Sequence, residues 1–146
     1  MSARLPALLA TLLMSVTAMN ANHAQSAVQS PAADSAERKV LLDAARTPLE
    51  QRLHQPVLLV VDQLNTSGDW AFLQAHMQGA GGKPLDYTGT EYAEAAQAGM
   101  KSHIYAALLQ RSGQQWTVKA EAIGPTDVAW GNWATQYGAP AAIFDH

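Results

Sequence analysis

The chain has 146 residues, 48% of them apolar and 14% charged, with a formal net charge of -3 and no cysteine. The missing cysteines exclude a disulfide framework and a thioether-linked lipid, and the lack of a basic cluster to neutralise phosphates excludes a nucleic-acid binder. The length suits one domain with a real core, not two.

Residues 1–24 read as a secretory signal. Arg4 supplies a short positive start, residues 5–19 an apolar stretch, and Ala18, Ala21 and Ala24 small side chains for cleavage. The apolar run is shorter than the roughly 20 residues a spanning helix needs, so no stable membrane span is expected once it is removed. Export without disulfides points to a bacterial periplasm. Removing 24 of 146 residues leaves 122, and the loss of Arg4 leaves eight Lys and Arg against twelve Asp and Glu, a net charge near -4. Residues 25–33 are polar and small, the composition of a disordered linker, and residues 34–146 form the single domain.

A helix is expected from Asp34, whose carboxylate can cap it, with Glu37 completing an acidic capping box. Val40, Leu41, Ala44, Ala45, Leu49 and Leu53 share one side at helical spacing. Pro48 predicts a kink or two short helices, and Pro56 pushes the residue before it out of the helical region. Residues 57–61 are a β-branched apolar run, hence a strand. Asn65, Thr66, Ser67 and Gly68 then turn the chain into a second strand over residues 69–77. Alternation puts Trp70, Phe72, Gln74 and His76 on one face and Ala71, Leu73, Ala75 and Met77 on the other. Both faces carry apolar groups, so both need cover.

Residues 78–90 are glycine-rich and read as a flexible excursion; the fragment around Lys83 lacks the flanking glycine and hydroxyl of a phosphate loop. Thr90 caps a short helix over residues 91–100, with Tyr92, Ala95 and Ala96 inward. Residues 103–110 and 116–123 form a second hairpin around residues 111–115. Tyr105, Ala107 and Leu109 are expected to share the core face with Trp116, Val118, Ala120 and Ala122, leaving Thr117, Lys119 and Glu121 on the wetter one. Beyond Gly124 and Pro125, Trp130, Trp133 and Tyr137 follow at spacings of three and four and lie on one side of a short element.

The stretches Gly68-Asp69-Trp70-Ala71-Phe72 and Ala122-Ile123-Gly124-Pro125-Thr126-Asp127-Val128-Ala129-Trp130 resemble a family of small exported proteobacterial proteins with no assigned activity. The resemblance implies compartment and domain extent, and no cofactor or site residue. The element order implies an α+β fold: an N-terminal helix packed on a roughly four-stranded antiparallel sheet of two hairpins, cystatin-like or NTF2-like in outline.

Chemistry is sparse. His54, His76, His103 and His146 show no metal spacing, and no thiolate is present; neither a metal nor another cofactor is expected. His76 and His103 approach one another across the sheet, near Asp62 or Glu121, but edge histidines are the commoner outcome. Asp69 and Asp127 sit where turns and caps want aspartate, and Ser67 lacks a nucleophile elbow. The expectation is a non-catalytic periplasmic binding protein whose partner is a protein or cell-envelope component, of inhibitor or immunity type. Its contact residues are Trp70, Phe72, Tyr87, Trp130, Trp133 and Tyr137. Homodimerisation through the second sheet face is compatible with this. The alternative is a small-ligand pocket or weak enzyme site near His76, His103 and Tyr105.

Overall fold

The computed structural model describes residues 26–146; the expected signal at residues 1–24 lies outside the described residues. The fold is α+β: a helix and a four-stranded antiparallel sheet in the order β1-β2-β3-β4, so each hairpin pairs with its neighbour in sequence.

Helix α1 runs over Ala36–Leu53. Its cap is Ser35 rather than Asp34: the Ser35 hydroxyl accepts the Arg38 N–H at 3.2 Å, and Glu37 favours the positive end of the dipole from the first turn. Pro48 lies inside one continuous helix, so it neither ends nor splits the element. Leu41, Ala45, Leu49 and Leu53 form the buried stripe, each at most 1% exposed. Each buried leucine contributes roughly 1.5–3 kcal/mol of transfer free energy. The helix closes on His54 in the left-handed region (φ 54°), and the Glu50 carboxylate accepts the Val57 N–H at 2.9 Å, fixing the entry into the sheet.

Strands β1 (Leu58–Ser67) and β2 (Trp70–Gln78) make the first hairpin, and β3 (Ile104–Ser112) and β4 (Gln115–Ile123) the second. Both turns have two residues, Gly68-Asp69 and Gly113-Gln114, with the glycine at positive φ, as tight hairpins with glycine first require. Asn65, Thr66 and Ser67, expected in the turn, are strand residues instead.

Each hairpin carries one bulge. Val61 pairs with Ala75 and Gln63 with Gln74, leaving Asp62 extra; Leu108 pairs with Ala120 and Leu109 with Val118, leaving Lys119 extra. The second bulge corrects the expected faces of β4. Trp116 and Val118 join Tyr105, Ala107 and Leu109 on the helix side, whereas Ala120 and Ala122 turn to the opposite face with Ala106 and Leu108. Glu121 moves with the swap, and its carboxylate accepts the Tyr105 hydroxyl at 2.9 Å on the helix side. An inserted residue reverses every side chain after it, which is why alternation alone misassigns this strand.

Residues 26–33, expected to be a linker, are laid along β1: Gln29 and Thr66 exchange two backbone hydrogen bonds of 2.8 and 2.7 Å, and Ser67 Oγ donates to the Ser26 carbonyl. The glycine-rich connection is likewise tied down. It makes a 3-10 turn at Ala80–Gly82, bridges Gln78 to Pro84, and plugs Leu85 and Tyr87 into the core. The Tyr87 hydroxyl donates to the Ser102 carbonyl at 2.6 Å. Gly124 lies against this contact at φ 63°, where a Cβ would collide with both the hydroxyl and the carbonyl, which gives the Ile123-Gly124-Pro125 corner its physical reason. Helix α2 is shorter than expected, Ala93–Gln97, with Thr90 still accepting the Tyr92 N–H just ahead of it.

The second face is closed by the C-terminal stretch: helix α3 (Trp133–Tyr137), Gly138 at φ 70°, and a 3-10 turn at Ala141–Phe144. Ile143 is fully buried there beside Phe72, Ala106 and Leu108.

Candidate functional site

Five of the six aromatic residues expected to form a contact surface do gather, around Phe72. Its ring lies 4.7 Å from that of Phe144, 5.9 Å from Trp130 and 6.5 Å from Trp133, the last edge-on. Phe72 is fully buried and Trp133 6% exposed, so their rings hold the C-terminal cover to the sheet. Trp70, Trp130 and Tyr137 are half-buried at the rim of that cluster. Tyr87 is on the other side of the sheet, 5% exposed and packed against Tyr92.

The rim opens at the tip of the first hairpin. A cleft of about 450 Å³ lies between Gly68, Asp69 and Trp70 on one side and residues 138–141 on the other, with Ser26 and Ser67 at its end. The tight turn exposes the Asp69 side chain, and Arg111 holds it with Nε 3.1 Å from Oδ1 while its guanidinium rests 5.3 Å over the Trp116 ring. The Asp69 carbonyl also accepts the Arg111 N–H at 2.7 Å. The cleft thus combines an indole edge, an oriented carboxylate and backbone polar groups on a rigid turn, a composition suited to contact with another molecule. Asp69 and Gly68 were readable as turn residues; the opposing wall, built by residues 138–141, has no signal in the sequence because it is brought there by the tail.

The tail is seated by two side-chain amides on the second face. Gln63 Nε2 donates to the Asp145 carbonyl at 2.7 Å, and Asn65 Nδ2 donates to the Ile143 and Asp145 carbonyls, both at 3.0 Å. Ser30 Oγ donates to Asn65 Oδ1 at 2.8 Å, so the N-terminal segment and the tail meet on one residue.

The histidines separate. His76 Nδ1 is 2.7 Å from Asp62 Oδ2 on the second face. His103 stacks on Tyr87 with ring centres 6.0 Å apart, and its Nε2 contacts the Leu85 carbonyl at 3.0 Å. Both border a recess of about 230 Å³ with Met77 and Pro84, each imidazole already engaged elsewhere. Among the described residues no group of three or more His, Asp or Glu is placed to hold a metal ion. Glu121 instead serves a polar link between α1 and β4: Arg52 Nη1 donates to its Oε1 at 2.5 Å, and Arg52 Nε lies 3.3 Å from Glu91. Burial, then the charge of Glu121 and the hydrogen bond to it, push the Tyr105 phenol far above its usual range. Burial likewise pushes Tyr87 up to about 12, with Tyr92 adding to the shift. The space between α1 and the sheet around Tyr105 is filled by Leu41, Leu49, Leu73, Met77 and Leu109.

Compared with known proteins, the chain matches no family model, no curated protein and no solved structure. Among the described residues no helix is long and apolar enough to cross a membrane.

Proposed function

We propose that this is an exported periplasmic protein that binds, without catalysis, a protein or other cell-envelope component, as an inhibitor or immunity-type protein does. The observation that carries the reading is the cleft at the tip of the first hairpin, where half-buried Trp70 and oriented Asp69 face residues 138–141. A half-exposed indole beside a fixed carboxylate on a rigid turn is the kind of anchor from which interfaces draw most of their energy. The basic start and short apolar run of residues 1–24 support export, as does the resemblance of the Gly68 and Ala122 stretches to exported proteins.

The test is photo-cross-linking in intact cells, with a photoreactive side chain at Asp69 and mass spectrometry of the adducts. A discrete envelope partner is expected, retained by Trp70→Phe and lost by Trp70→Ala at unchanged protein level. Equal capture by native and Trp70→Ala protein removes the cleft from the reading. Recovery of the uncross-linked chain alone sinks the binding role.

A further inference from the structure

β1 is an outer strand of the sheet, and its free side has a defined pattern. The Met77 N–H bonds to the His103 carbonyl, and the Asp69 carbonyl takes the Arg111 N–H. Odd-numbered residues of β2 therefore turn their backbone groups toward β3 and even-numbered ones toward β1. The β1 partners of those even positions, Leu58, Val60, Gln63, Asn65 and Ser67, bond inward. Leu59, Val61, Leu64 and Thr66 consequently face outward. Thr66 is taken by Gln29; the next pair in that ladder would set Pro31 against Leu64, and proline has no N–H to give. The Val57 N–H is held by Glu50. Leu59 and Val61 are left without an outer backbone partner among the described residues.

The stretch that carries these open groups, residues 57–61, is apolar throughout, with Val57 at its start buried. Outer strands are ordinarily protected by a charge, a proline or a bulge; here the charge and the bulge both come at Asp62, after the stretch, so they mark its end. Leu58 and Val60 are 50% and 43% exposed on the second face, beyond the reach of the C-terminal cover.

We propose that residues 57–61 pair antiparallel with the same stretch of a second copy of this chain, Leu59 opposite the partner's Leu59. Three independent features select that occupant. The two outward-facing Leu59 residues exchange both backbone bonds. Leu58 falls opposite the partner's Val60, and Val60 opposite the partner's Leu58, as non-hydrogen-bonded pairs whose side chains approach most closely. Val57 falls opposite the partner's Val61, its carbonyl accepting the partner's Val61 N–H while its own N–H stays on Glu50, which brings Glu50 toward the partner's Arg38, since Arg38 borders the groove along residues 61–65. Arg38 contacts the Pro31 carbonyl and makes no ion pair among the described residues, whereas Glu50 has Arg46 at 3.9 Å as its cation, so the partner's Arg38 adds a second positive group to a carboxylate held at long range. The contact is isologous and closes after two copies. One short strand pair buries less than the roughly 1,200 Å² of a stable interface, so the dimer forms in the micromolar to millimolar range.

Sedimentation equilibrium of the purified protein across that range tests it, with hydrogen exchange at the Leu59 and Val61 amides. The native mass rises from monomer to dimer, and both amides gain protection in step. L58K/V60K sets lysine against lysine at both cross-strand pairs and raises the dissociation constant at least about tenfold, without touching the core. L58K/V60E sets lysine against glutamate at the same two pairs and restores the dimer. A native protein that stays monomeric at millimolar concentration overturns the proposal and leaves the edge to a foreign strand. Equal dimerisation of native and L58K/V60K protein overturns it as well, by placing the contact elsewhere.

Discussion

The first face of the sheet lies under one continuous 18-residue helix, whereas the second lies under a relay of short pieces: α3, a left-handed glycine, a 3-10 turn and the tail. The helix brings its own hydrogen bonds and a single leucine stripe. The C-terminal cover has little internal structure and is attached by rings packed tilted and edge-on around Phe72 and by the amides of Gln63 and Asn65. The same problem, an apolar sheet face that must leave water, is solved once by regular secondary structure and once by side chains. The second solution leaves its margins open: the tip cleft at Trp70 and the uncovered Leu58 and Val60 both belong to that face.

If the second face is a core in its own right, truncation there costs as much as truncation under the helix. Phe72→Ala removes a fully buried ring that five others contact or border, and a loss of about 3–5 kcal/mol is expected. Leu49→Ala, fully buried under α1, is expected to cost about 2–5 kcal/mol. Urea unfolding of the two variants side by side measures this; a Phe72→Ala cost below about 1 kcal/mol would show that the cover is loosely held.

Alkali separates the faces by a different route, because the buried phenols Tyr87 and Tyr105 both belong to the first. An unfolded tyrosine ionises near pH 10, whereas Tyr87 in the fold holds its proton until about 12. Above pH 10 the unfolded chain releases a proton that the folded chain keeps, so the Tyr87 contribution is intact below pH 10 and lost as pH climbs to about 12. Tyr105, shifted in the same direction by burial and by Glu121, steepens the fall. Each phenol accounts for up to about 1.4 kcal/mol per pH unit in that window. Tyr87→Phe should flatten the curve of stability against pH; an unchanged slope would mean that Tyr87 ionises in the fold as readily as outside it.

What could be read from the residues alone follows the same division. The leucine spacing of α1, the β-branched run at residues 57–61 and the glycines of both hairpins are local signals, and each produced its element. Two apolar sets on β2 correctly demanded cover on both sides. The bulges at Asp62 and Lys119 left no such mark, since inserting one residue alters pairing and not composition, and the error propagated to Ala120, Glu121 and Ala122. The cap passed from Asp34 to its neighbour Ser35, a one-residue choice set by backbone geometry. Residues 26–33 and 78–90 looked like free chain because their anchors are scattered contacts with partners distant in sequence, such as Gln29 on Thr66 and Tyr87 on Ser102. The aromatic residues of the candidate site were found, but their roles split: Phe72 and Trp133 bind the fold to itself, and Trp70 alone reaches the cleft.

The smallest expected effect is the most specific to the second face. Asn65 is 8% exposed, donates to two tail carbonyls and accepts from Ser30, so Asn65→Ala leaves those groups to find other partners. A global cost of about 1–2 kcal/mol is expected, but its distribution matters more than its size. The tail is bound to the sheet by Gln63, Asn65 and a few rings, whereas the hydrogen bonds of both amides go to the tail and to Ser30 and none to α1; loss of Asn65 should therefore speed amide exchange at Ile143 and Asp145 and leave Leu41 and Leu49 protected. Because residues 138–141 form one wall of the tip cleft, the same substitution should weaken cross-linking from Asp69 while Trp70 is still in place. Uniform loss of protection across both faces would instead mean that the tail and the helix open as one unit, and that the second cover is as integral to the domain as the first.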